Sequence, residues 1–77
     1  MSLLALLNHK RLQEEMKLNG LKQEEFAEAL GITDRHIRNL ISKDTDVSTS
    51  LLYRISVELH IPMEDLLVLR EDPDFNK

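Results

Sequence analysis

Residues 23–41 read QEEFAEALGITDRHIRNLI, and a single glycine divides them into two amphipathic halves. In the first half Phe26, Ala27 and Leu30 share one stripe of a short helix. In the second, with each residue turned about 100° from the last, Ile37 and Leu40 point one way with Thr33 beside them. Asp34, Arg35, Arg38, Asn39 and Ser42 gather within about 140° on the opposite side, and His36 lies on a flank. The polar groups therefore form one coherent outward face. A solvated surface would explain such a face on an arbitrary helix, so the reading turns on what precedes it.

About three residues join the two halves, which forces the helices to cross at a steep angle. Close crossing needs a small side chain where the backbones approach, and Ala27 supplies it. The sharp exit needs positive φ, and Gly31 supplies that. Phe26, Leu30, Ile32, Ile37 and Leu40 form a shared apolar plug. Counted from Gln23, the small residue is fifth, the glycine ninth, and the apolar residues fourth, eighth, tenth, fifteenth and eighteenth. This is the spacing of a helix-turn-helix.

The remaining chain reads as helix throughout, with two glycines and two prolines as its only punctuation. Asn8 is placed to cap a first helix that stops at Asn19-Gly20. Thr33 caps the third helix, residues 33–42, with Asp34 in its first turn complementing the dipole. SKDTDVS is a polar loop. Ser48 caps a fourth helix lined by Leu51, Leu52, Ile55 and Leu59, and Pro62 opens a fifth, PMEDLLVL. The expectation is an all-α, compact five-helix domain filling residues 1–77, with residues 1–7 an apolar extension and 70–77 a flexible tail.

A chain of 77 residues buries only about 60% of its unfolded surface, too little for a deep substrate pocket. It has no cysteine, hence neither disulfide framework nor thiolate metal site. MSLLALL is too short to span a bilayer and no signal-peptide pattern follows it, so no membrane role and a cytoplasmic location are expected. The net charge of −4 argues at first against a nucleic-acid partner. Its distribution argues for one: residues 8–22 and 33–43 each sum to +2, whereas 58–77 sum to −4. Local sign matters more to a polyanion than the total.

On these residues the chain resembles the Xre-type helix-turn-helix family of prokaryotic and phage regulators, which includes the lambda and 434 repressors and Cro. The resemblance covers about residues 10–67; VSTSLLYRISVELHIPMEDLL is similar to the family's fourth and fifth helices. It implies a transcriptional regulator, commonly a repressor, that binds two-fold operator sites on double-stranded DNA as a homodimer. Asp34, Arg35 and Asn39 fall on the family's base-contacting positions. Gln23, Arg38 and Lys43 fall where the DNA backbone is contacted. The chemistry suits these roles: Arg donates two parallel bonds to guanine, and Asn pairs bidentately with adenine. Asp34 suits a cap, a cytosine amine or the orienting of Arg38 four residues on. Tyr53, Val57, Leu67, Val68 and Leu69 are apolar beyond what five small helices bury. They are candidates for the dimer contact, or for packing against Leu3, Leu4 and Leu7.

Several positions depart from the family. The usual arginine of the first helix and its glutamate partner at the end of the recognition helix are Met16 and Ile41, so an apolar contact is expected in place of the ion pair. Lys22 stands where a Ser or Thr cap is usual, and Lys43 and His60 where glycine is frequent. Asp44 and Asp46 sit in a loop that is often basic.

Other chemistry is weak. His9, His36 and His60 lack metal-ligand spacing. Glu14-Glu15 and Glu24-Glu25 are adjacent on helices, so their carboxylates diverge. No glycine-rich phosphate loop is present. Neither enzyme nor cofactor is expected. Two alternatives share the fold: the DNA-binding antitoxin of a toxin–antitoxin pair, whose protein partner is a toxin, and an interaction module that has lost DNA binding and meets another regulator.

Overall fold

The computed structural model describes residues 3–71. Four α-helices, α1 (His9–Leu18), α2 (Gln23–Leu30), α3 (Asp34–Ser42) and α4 (Thr49–Leu59), are flanked by two strands, β1 (Leu3–Leu7) and β2 (Leu67–Glu71). A 3-10 turn, Met63–Leu66, leads into β2. No helix among the described residues is long and apolar enough to cross a membrane.

The helices begin where their caps sit. The Asn8 side chain accepts from the Lys10 and Arg11 amides, each at 3.2 Å. Thr33 Oγ1 accepts from His36 N and Ser48 Oγ from Leu51 N, both at 3.1 Å. These bonds satisfy amides that a first turn leaves without a partner. Lys22 gives α2 no such bond; Glu24 and Glu25 in the first turn face the positive end of its dipole instead.

One core joins all the elements. Phe26, Ala27 and Leu30 of α2 meet Ile37 and Leu40 of α3, Leu12 and Met16 of α1, and Leu51, Leu52, Ile55 and Leu59 of α4. Leu66 and Leu7 complete it, both fully buried.

The all-α, five-helix expectation is corrected at both ends of the described chain. The segment read as a fifth helix makes only the 3-10 turn before extending as β2, and the apolar extension at 1–7 supplies β1. The strands pair antiparallel, with Leu3 opposite Glu71, Ala5 opposite Leu69 and Leu7 opposite Leu67. Burial rises along β1 from exposed Leu3 to buried Leu7 and falls along β2 towards Glu71. The ribbon is thus rooted in the core and projects from it. The physical reason lies in the run Leu66-Leu67-Val68-Leu69: four consecutive apolar residues fit no single helical stripe, and a short apolar run is ambiguous until a partner strand appears. Arg70 and Glu71, expected in the tail, belong to β2; the rest of that tail lies outside the described residues.

Candidate nucleic-acid interface

The turn between α2 and α3 is built as the spacing requires. Gly31 adopts φ 72° and ψ 33°, the left-handed region that glycine enters without steric cost. Ile32 N bonds Ala27 O at 3.0 Å and Gly31 N bonds Glu28 O at 3.1 Å, so the last carbonyls of α2 are used and the chain turns sharply. From α4, Arg54 Nη1 donates to Leu30 O at 2.8 Å and closes the same helix end. Ala27, small and buried, belongs to the core that α2 shares with α3.

With Ile37 and Leu40 held in the core, the opposite face of α3 is fixed outward. Asp34, Arg35, His36, Arg38 and Asn39 are all exposed. Among the described residues no ion pair joins Asp34 to Arg38. Gln23, at the start of α2, is exposed beside this face.

An open cleft between α1, the start of α2 and α3 brings Gln23, Asp34 and Arg38 together with Lys17, Lys22 and the carboxylate of Glu24. Arg35 and Asn39 stand outside it, further round α3. Two cations, Lys17 and Lys22, are thereby added to the sequence-derived set. Their signal was the +2 sum over residues 8–22, which placed positive charge on that segment without choosing among its side chains. Met16 and Ile41 line the floor of the cleft, Met16 buried and Ile41 packed against the core. The Gln13 side chain donates to Ile41 O at the end of α3. An apolar floor and one amide thus stand where the family resemblance suggested an ion pair.

Lys43 is exposed just beyond α3, on the next residue from a carboxylate turned the other way. Asp44 Oδ1 accepts from His9 N at 3.1 Å and lies 2.6 Å from His9 Nδ1, while Arg70 Nη2 donates to Oδ2 at 2.8 Å. The Arg70 guanidinium, seconded by the His9 ring and amide, holds the Asp44 carboxyl well below the usual carboxylate range. Asp44, an acid in a loop that is often basic in the family, is thus engaged with His9 and Arg70; Asp46 is exposed. Nothing in the sequence pairs His9 with Asp44 or Arg70.

The dimer candidates fall on two elements. Tyr53 (59% exposed) and Val57 (49%) form a spot on α4, and Leu69 (62%) lies on the ribbon. Leu67 and Val68 are half-buried near the ribbon's root, with Leu67 opposite Leu7.

A family model described as helix-turn-helix matches residues 12–66. No curated protein and no solved structure matches the chain significantly.

Proposed function

The chain belongs to the helix-turn-helix family of Xre, Cro and lambda repressor type, and from that premise we propose that it is a sequence-specific transcriptional regulator that lays α3 in the major groove. The observation carrying this reading is the arrangement of α3: Ile37 and Leu40 are buried, so Arg35 and Asn39 are presented outward on a helix joined to α2 through the Gly31 turn. In this reading Arg35, Asn39 and Asp34 face base edges, while Gln23, Arg38 and Lys43 meet phosphates, joined by Lys17 and Lys22 around the cleft. Repression follows by occupancy of the site. The protein acts as a homodimer, which sets two recognition helices about 34 Å apart on a two-fold operator; exposed Tyr53, Val57 and Leu69 supply apolar surface for that contact.

Selection of bound fragments from a random duplex pool tests the whole reading. A palindromic consensus is expected; no enrichment over input would sink it. On the selected site Arg35→Ala should weaken binding by about 1–3 kcal/mol and relax one base position. Uniform weakening on every sequence would reassign Arg35 to the backbone.

A further inference from the structure

Lys43, the residue that leaves α3, has extended backbone at φ −161° and ψ 159°, which sets its side chain and that of Asp44 on opposite sides. Asp44 points inward, its side chain 14% exposed; Lys43 points out. The bonds from His9 and Arg70 tie this one carboxylate to the start of α1 and to β2. Thr45 continues the attachment through two backbone bonds with Leu7, at 2.8 and 3.3 Å. A slip of one residue along such a segment would exchange the two faces, turning Lys43 in and Asp44 out.

We propose that Asp44 is a positioning residue for DNA binding: it fixes the register of the segment leaving α3 so that Lys43 presents its ammonium to phosphate, while its own charge is taken up by Arg70 and His9. The proposal rests on the DNA-binding reading above. It is set against elementary electrostatics, because deleting an acid beside a phosphate should by charge alone strengthen binding. Asp46 lies two residues on, exposed and without an ion pair among the described residues, and it should follow that simple rule.

The experiment measures affinity for a mixed-sequence DNA duplex against salt concentration, with circular dichroism at the assay temperature confirming the folded state. The proteins are wild type, Asp44→Asn, Asp46→Asn, Lys43→Ala and the Asp44→Asn/Lys43→Ala double variant. Asp46→Asn should bind more tightly and Asp44→Asn more weakly, although each removes the same charge. Lys43→Ala should reduce the slope of log affinity against log salt by about 0.9 in the wild type, the value of one phosphate contact, and leave it unchanged in the Asp44→Asn background. Tighter binding by Asp44→Asn, or an equal Lys43→Ala effect in both backgrounds, overturns the proposal. If Asp44→Asn does not fold, Arg70→Gln, which removes one exposed arm of the cluster, is judged by the Lys43→Ala effect alone: that effect on the salt slope should vanish in the Arg70→Gln background, and a full effect there overturns the proposal. A wild type with no salt slope would instead sink the DNA-binding reading itself.

Discussion

Three of the four α-helices end in the same pair of backbone bonds, and the residue at the turn is Gly20, Gly31 or His60. Leu21, Ile32 and Ile61 each send an amide back to the helix (2.9, 3.0 and 3.1 Å), while the amides of Gly20, Gly31 and His60 bond the carbonyl one residue further on (3.1, 3.1 and 3.3 Å). Those three apolar residues then pack against the core, the hydrophobic contact that accompanies this kind of helix stop. Two of the positions have the residue the geometry favours. At the third, His60 sits at φ 58°, where a β-carbon costs about 1–2 kcal/mol. His60→Gly should therefore stabilise the protein by about 0.5–1 kcal/mol, the gain being reduced by the greater freedom of glycine in the unfolded chain; denaturant melts give the value directly. Asp44 gives a second prediction at this scale. Its folded pKa is depressed from the ordinary value of 3.8, so its stabilising contribution is fully present above that value and is lost as pH falls below it towards the folded pKa. Asp44→Asn should be less stable than wild type by about 1–2 kcal/mol at neutral pH, discounted because Arg70 is 59% exposed. The difference should close in acid, below the ordinary carboxylate pKa. Melts of both proteins across the acid range check this, and a gap that persists at the lowest pH would remove the ionised carboxylate as its cause.

At the scale of the elements, the helix-turn-helix holds together because its local preferences agree with its packing. Thr33 caps α3 where Gly31 has just ended α2, and the buried stripe of each helix faces the other. The weak point is the start of α2, where Lys22 takes the cap position without a side-chain bond. Lys22→Ser should add about 1 kcal/mol of stability. The same change deletes a cation lining the cleft beside Gln23 and Arg38, so DNA affinity should fall as stability rises, with a shallower salt slope. A thermal melt alongside a salt titration separates the two effects. If both quantities rose together, Lys22 would stand outside the DNA footprint.

For the whole molecule, the decisive pairing joins the two ends of the described chain. Leu7 closes the core from one end and Leu66 from the other, both fully buried. A chain this small has few such residues to lose. Leu7→Ala should cost about 2–5 kcal/mol, enough to remove much of the stability of a domain of this size. A melting curve left where it is by this substitution would mean that Leu7 does not close the core, and a denaturation experiment decides.

What could be read without coordinates was the helix-turn-helix and the caps, each carried by short-range spacing. Gly31, Ala27 and the apolar positions around them specify two crossed helices because each requirement is met within a turn or two of the chain. The same periodicity sets Arg35 and Asn39 outward, and Asn8, Thr33 and Ser48 act as the caps that their positions predict. What tertiary structure alone decided was long-range. Whether LLALL and LVLRE extend or coil depends on each finding the other, some sixty residues away. His9, Asp44 and Arg70 come from a helix, a loop and a strand with no common periodicity, so nothing local signals their meeting. A helix states its own hydrogen bonds in its sequence, whereas a strand or a clustered carboxylate borrows its partners from elsewhere in the fold, and only closure of the chain names them.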